Sequence, residues 1–329
     1  MKFKRYWRVW VGLIISGVLL WLAFRGVDWP SLGRALMAIS WTSCGIAALF
    51  FLTNLIVRAV RWRVLLAPVH KLPLLEVFAY SQIGYLSNIL LPLRAGEFVR
   101  AILVGQRYGI SKSAVLATVA VERALDILNL LAFALVLPLI MEMPKTVRQS
   151  VLLTGILATL AVITLWGMSW QERRVERFVG QASSFIPRPL RRRLTNPIIT
   201  FIHGLRALRS GGRMLSSIVC SLAAWVLVLL EILFIFEGFG LALPWYAAVF
   251  LIVVLNLGMA VPSSPGFIGV AHYLIVLALS VFAVDQAKAL GVALITHGLN
   301  FVLNIVLGLA FLWRENIAFS RLGKVSVSV

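Results

Sequence analysis

The chain has 329 residues, 61% of them hydrophobic and 13% charged, with a mean hydropathy of +0.96. A water-soluble domain is roughly 45–50% apolar, so this composition argues against an ordinary soluble protein. Its 31 Lys+Arg against 12 Asp+Glu, a net charge of +19, then point to basic loops at one lipid surface and not to nucleic acid.

A spanning helix needs about 20 mostly apolar residues. Runs of that kind lie near 9–24, 41–57, 113–141, 150–170, 214–239, 243–261, 266–284 and 286–313. The expected fold class is therefore all-α, a polytopic membrane helix bundle with about eight transmembrane helices. Cys44 and Cys220 both lie inside apolar runs and read as small packing residues, too few for a disulfide scaffold or a structural zinc site.

The first run follows a basic start, Lys2, Lys4, Arg5 and Arg8, and no small-x-small cleavage site follows Trp21-Leu-Ala-Phe. It is expected to remain as a signal anchor. The second run closes on Arg58-Ala-Val-Arg61-Trp62-Arg63. Arg58 and Arg61, three apart, share a helix face, where they can grip a phosphate or simply anchor a cytoplasmic helix end.

The stretch 73–92 is apolar but carries Tyr80, Ser81, Gln82, Tyr85, Ser87 and Asn88 and ends at Pro92. It reads as a broken or re-entrant segment, and irregular backbone at membrane depth normally lines a cavity. Beyond it Arg94, Glu97 and Arg100 are spaced three apart on one helix face, with Glu97 placed to hold both arginines and Gly96 permitting a tight approach. Glu122-Arg123-Ala-Leu-Asp126 opens the next long run with two carboxylates facing the same way. A metal or proton site with Glu97 is one option; a salt-bridge network with Arg94, Arg100 and Arg123 fits the charges better.

The segment 171–213 is the sizeable hydrophilic connection, with ten arginines between Arg173 and Arg213. Leu190, Leu194, Ile198, Phe201, Ile202 and Leu205 recur at helical spacing, which suggests an amphipathic helix on the inner leaflet or simple topology enforcement. Basic and less basic loops alternate if both termini are cytoplasmic. The organisation expected is one domain over 1–329, with halves near 1–170 and 214–329 joined by this cytoplasmic segment.

In the second half Glu231 is a lone acid deep in an apolar run. A second broken segment is expected near 258–269, in Pro262-Ser263-Ser264-Pro265-Gly266-Phe-Ile-Gly269, with a helix starting near Pro265 whose free N–H groups would favour an anion; the alternative is a tight cytoplasmic loop. His272 follows, and His297, Asn300 and Asn304 line a face of the last run. A histidine in a span carries a proton or serves as an interhelical hydrogen-bonder, so His272, His297 and Glu231 are the proton-coupling candidates.

Taken in order, Arg58-x-x-Arg61-Trp62-x-x-Leu65-Leu66, Asn88-x-x-x-Pro92-x-Arg94-x-Gly96-Glu97-x-x-Arg100, Glu122-Arg123-x-x-Asp126 and Pro262-x-x-Pro265-Gly266-x-Ile268-Gly269 resemble the lysylphosphatidylglycerol synthase transmembrane region, also called the flippase-like or UPF0104 membrane proteins. The resemblance covers nearly the whole chain. In many relatives the last motif has two glycines and ends in Glu; here Phe267 follows Gly266 and His272 stands at the end, which suggests a subgroup with different cargo. With the chain ending soon after Arg314, the cytoplasmic aminoacyl-transferase domain of the full synthases is expected to be missing.

The resemblance implies a lipid translocase in the bacterial inner membrane, without enzymatic activity or cofactor, moving an aminoacylated, hopanoid or other polar-headed lipid. Its headgroup would meet Arg58, Arg61, Asn88, Arg94, Glu97, Arg100, Glu122, Arg123 and Asp126, with Ser263, Ser264, Gly266 and Gly269 closing the site from the second half. No G-x-x-x-x-G-K-[ST] motif is present, so movement is expected to be passive or ion-coupled. One rival is an integral-membrane lipid-phosphate transferase or phosphatase with a divalent metal on Glu122 and Asp126. Another is a non-transporting scaffold that seats lipid or glycolipid biosynthesis enzymes at 171–213.

Overall fold

The computed structural model describes residues 3–91, 95–141, 170–182, 188–205, 210–259 and 264–317, with isolated positions between 145 and 167. All its regular elements among these residues are helical: α1 (Phe3–Phe24), α2 (Trp29–Met37), α3 (Trp41–Leu66), α4 (Leu74–Leu90), α5 (Gly96–Tyr108), α6 (Lys112–Ile140), α7 (Glu172–Ala182), α8 (Arg188–Gly204), α9 (Gly211–Gly238), α10 (Trp245–Gly258), a single 3-10 turn at Pro265–Phe267, α11 (Val270–Ser280) and α12 (Gln286–Arg314).

Four of these, α3, α6, α9 and α12, are each long and apolar enough to cross a membrane, and α1 with α2 makes a fifth candidate, bent by 86°. The apolar runs at 243–261 and 266–284 become shorter pieces. At 1.5 Å per residue, α10 with 14 residues reaches about 21 Å, less than the roughly 30 Å hydrocarbon core. Most of the run at 150–170 lies outside the described residues.

Local chemistry sets the helix ends. Ser40 and Ser111 cap α3 and α6 by accepting the backbone N–H groups of Ser43 and Ala114, and Asp285 caps α12 through Ala287 and Lys288. Helix α5 stops at Gly109, whose φ of 64° is left-handed.

Helices from both ends of the sequence interleave. α3 packs along α9, α4 along α12, and α1 against α11. The large apolar core joins α9, α10, α11 and α12, including Trp225, Phe236, Phe250 and Leu290, with residues of α3 and α6. Large apolar side chains such as Leu49, Leu139, Leu222 and Val302 point outward, as lipid-facing positions require.

Within the stretch 73–92 a continuous helix runs from Leu74 to Leu90, and Pro92, where the break is expected, lies outside the described residues. Its polar residues Tyr80, Ser81, Gln82 and Ser87 are buried because α5 and α12 cover them. Helices α4 and α5 bring two backbones together at Gly84 and Gly96, and the Asn88 carboxamide accepts the Gly96 N–H at 2.8 Å. Asn88→Ala is expected to cost about 1 kcal/mol, the usual worth of one capping bond, in thermal unfolding of the purified protein. An unchanged stability would mean that water replaces the carboxamide.

Among its described residues the basic segment forms two helices, α7 and α8. The apolar face of α8 is taken up by protein at its C-terminal end: Ile202 and Leu205 are fully buried and Gly204 lies directly on Ala114 and Ala117 of α6. Ile198 remains exposed, so only part of the expected amphipathic face is free to meet lipid.

Candidate functional site

Three polar residues on α3 share one face, Asn54, Arg58 and Arg61, at spacings of four and three. That face meets α9 and α6. Asn54 donates to the Ala224 carbonyl at 2.5 Å and accepts from Arg58 Nε at 2.8 Å. Glu122 and Asp126, four apart on α6, present their carboxylates to the same place.

Arg61 is the hub. One of its terminal nitrogens donates to Asp126 Oδ1 at 2.7 Å and to Ser221 Oγ at 2.8 Å, and the other donates to Glu122 Oε1 at 2.9 Å. Arg61 and Glu122 are both 0% exposed. Arg100, from α5, bonds the second Glu122 oxygen at 2.5 Å and lays its guanidinium over the Trp62 ring, 4.6 Å from the centroid. Trp62 is held in turn by its Nε1 donating to Thr118 Oγ1 at 3.0 Å.

Two arginines sit at the more open edge. Arg58, 17% exposed in its side chain, reaches Asp126 Oδ2 at 3.3 Å. Arg123, 31% exposed, stands 3.3 Å from the same oxygen and 2.9 Å from Glu97 Oε1. The Glu97 contact is an ion pair without an aligned hydrogen bond. Glu97 itself opens α5, where the helix dipole favours a negative charge.

The structure thus gathers Arg58, Arg61, Glu97, Arg100, Glu122, Arg123 and Asp126 into one cluster and seats Asn88 at the nearby start of α5. Arg94 and Ser263 lie outside the described residues. One expected pairing is corrected: Glu97 does not hold Arg100. Arg100 is buried against α6 and crosses to Glu122, whereas Glu97 pairs with Arg123. Asn54, Ser221, Thr118 and the Trp62 ring belong to the cluster and went unrecognised. Asn54 stood four residues before Arg58, a spacing that could have revealed it.

A divalent metal on the acidic pair is a poor fit. Both oxygens of Glu122 and both of Asp126 already face guanidinium groups. Among the described residues no three His, Cys, Asp or Glu side chains converge as a ligand set.

The second-half motif forms a separate knot. The helix expected near Pro265 starts at Val270 instead, because Gly266, Phe267 and Gly269 all have positive φ (71°, 57° and 89°) and break the chain after one 3-10 turn. Gly269 is needed there both for that φ and because Ser16 of α1 lies directly against it. The polar groups of the knot engage one another. Ser264 donates its N–H to Ser16 Oγ and its hydroxyl to the Ile268 carbonyl, Gly269 N–H donates to His272 Nδ1 at 3.4 Å, and His297 Nε2 bonds the Gly266 carbonyl at 2.8 Å. With the Gly269 N–H taken by His272, the helix start offers less to an anion than its sequence suggested. The rings of His272 and His297 meet edge to face, 4.9 Å between centroids. The turn packs on α4, but no hydrogen bond joins Ser264, Gly266, Gly269, His272 or His297 to the arginine cluster.

The family described as the lysylphosphatidylglycerol synthase TM region matches residues 9–308. A UPF0104 membrane protein of Methanothermobacter thermautotrophicus is 26% identical over 310 residues, covering 91% of this chain and 90% of the relative. A UPF0104 membrane protein of Methanocaldococcus jannaschii is 23% identical over 224 residues, covering 67% of this chain and 90% of the relative. No solved structure matches. On a match of this extent, carried by a helical chain with membrane-spanning helices, the protein belongs to the lysylphosphatidylglycerol synthase transmembrane region family.

Proposed function

We propose that this protein is a lipid translocase that moves a polar-headed lipid between the leaflets of the cytoplasmic membrane, with both termini inside and no chemical step. Family membership supports a role with membrane lipid. The observation that carries the reading is the charge balance of the buried cluster. Among the described residues four guanidinium groups face three carboxylates, and Arg61 Nε, Arg100 Nε and Arg100 NH1 are buried without a hydrogen-bond partner.

A net positive charge of this kind favours an anion such as a phosphate, and the buried arginines add to the field at the edge where it would enter. A headgroup phosphate entering at the Arg58–Arg123 edge would meet two partly exposed guanidinium groups whose orientation is held by Asp126 and Glu97. A headgroup amine, if the lipid carries one, would meet those carboxylates. Crossing hydrocarbon costs a charged group several kcal/mol, and a polar file between helices removes much of that barrier. The exposed Arg173, Arg174 and Arg177 of α7 support a cytoplasmic placement of that segment, against anionic headgroups.

The test is leaflet exchange of a fluorescent phospholipid in reconstituted vesicles. The parent protein should exchange lipid faster than empty vesicles. Losing one charge-assisted hydrogen bond costs about 1.5–3 kcal/mol, so Arg58→Gln and Arg123→Gln should each slow exchange about tenfold or more while eluting as folded protein. Exchange by both variants at the parent rate would sink the phosphate site.

A further inference from the structure

Glu231 takes no part in the arginine cluster. It lies in α9 ten residues beyond Ser221, about 15 Å further along the helix, and is 2% exposed. Its Oε1 has no hydrogen-bond partner. None of the helices packed on α9 gives it a free positive partner among the described residues. From α3, Arg58 acts on it at a distance, but that guanidinium is bonded to Asn54 and Asp126. From α6, Arg123 is held by Glu97 and Asp126. Helix α10 carries no charged residue. From α12, the Asn300 side chain lies close enough to act on the carboxyl, and the His297 ring, three residues before it, is bonded to the Gly266 carbonyl.

The helix packed on this side of α9 carries oxygens instead of charge. On α12, Thr296, Asn300 and Asn304 are spaced by four, one stripe on one face. Thr296 Oγ1, Asn300 Oδ1 and Asn304 Oδ1 are all buried without partners. The Asn304 amide nitrogen donates to the Asn300 carbonyl at 2.8 Å, which leaves its oxygen as the free atom. A buried carboxyl without a positive partner and buried amide oxygens without donors are each costly at membrane depth, and a small cation between α9 and α12 relieves both. One anionic oxygen among neutral ones suits a singly charged ion; Ca²⁺ takes six to eight oxygen ligands and Mg²⁺ a full octahedron.

We propose that Glu231, with Asn300 and the oxygens flanking it on α12, is a coupling-cation site that takes a proton or Na⁺. The role as coupling site rests on the translocase reading. Arg58 links the two sites, since it is bonded inside the cluster and also acts on Glu231. A phosphate bound to Arg58 offsets the positive charge that opposes a cation at Glu231. Headgroup and cation therefore favour each other's binding, and by linkage the favour is mutual.

Two measurements test this. In vesicles holding the protein and a fluorescent anionic phospholipid, a one-unit pH gradient or a tenfold Na⁺ gradient is imposed at zero membrane potential. One gradient should build a leaflet asymmetry of up to about tenfold per cation carried, the equivalent of one unit, and the effective gradient names the ion. Glu231→Gln should abolish the asymmetry and Glu231→Asp restore part of it. A parent protein that exchanges lipid but ignores both gradients, or a Glu231→Gln variant that still responds, overturns the coupling site. Separately, the parent-minus-Glu231→Gln infrared difference spectrum of the purified protein should hold one carboxyl band that responds to Na⁺ or pH; a difference spectrum with no such band overturns cation binding outright. If the parent exchanges no lipid while the carboxyl response is present, the translocase reading fails and the cation site stands.

Discussion

Arg61→Ala is expected to destabilise the folded protein by about 3–5 kcal/mol, the cost of leaving buried charges without their partner. The side chain is fully buried and bonds Glu122, Asp126 and Ser221 at once. Without it Glu122 keeps only Arg100, and Asp126 is left to the two longer 3.3 Å contacts from Arg58 and Arg123. Three spanning helices, α3, α6 and α9, lose their common polar contact. Arg61→Lys should recover only part of the loss, because one ammonium cannot reproduce the fork that reaches Glu122 and Asp126 with separate nitrogens. Thermal unfolding in detergent or nanodiscs measures it. A shift below about 1 kcal/mol would show that the pairs are screened like surface salt bridges.

Gly96→Ala should be comparably severe, at about 3 kcal/mol or more. Adding atoms to a well-packed site costs about 1–3 kcal/mol when side chains can give way. Here the new methyl would overlap the Gly84 carbonyl oxygen and press on the Asn88 carboxamide, so backbone must move. Helix α5 would be pushed from α4, drawing Glu97 and Arg100 away from Arg123 and Glu122. Gly45→Ala on the exposed side of α3 is the control: nothing lies within 4 Å of the added atom, and alanine favours a helix over glycine by about 1 kcal/mol. Equal stability of the two variants would contradict the close approach of α4 and α5.

Much of the charged cluster was legible in the sequence, for a physical reason. Arg58, Arg61, Arg100, Glu122 and Asp126 lie near or within apolar runs, where a charge is costly unless it is paired. Their presence therefore announced partners, and helical spacing placed Arg58 with Arg61 and Glu122 with Asp126. Which arginine meets which acid was not legible. The pairing of Arg100 with Glu122 and of Glu97 with Arg123 depends on how α5 lies against α6. Ser221 and Thr118 are ordinary helix residues until Arg61 and Trp62 reach them from another helix.

Hydropathy alone dictated a helical membrane protein, since about 20 apolar residues with saturated backbone hydrogen bonds have few other solutions. It could not separate a spanning helix from a short buried one, because α10 and α11 are as apolar as the helices that cross. Nor could it tell that Gly266, Phe267 and Gly269 hold a turn closed on itself by Ser16, His272 and His297. The His272 contact is local to its helix start, but the Ser16 contact spans more than 240 positions and the His297 contact comes from another helix. Composition and period are local quantities; the matching of a buried donor to its acceptor is settled only when distant helices come into contact.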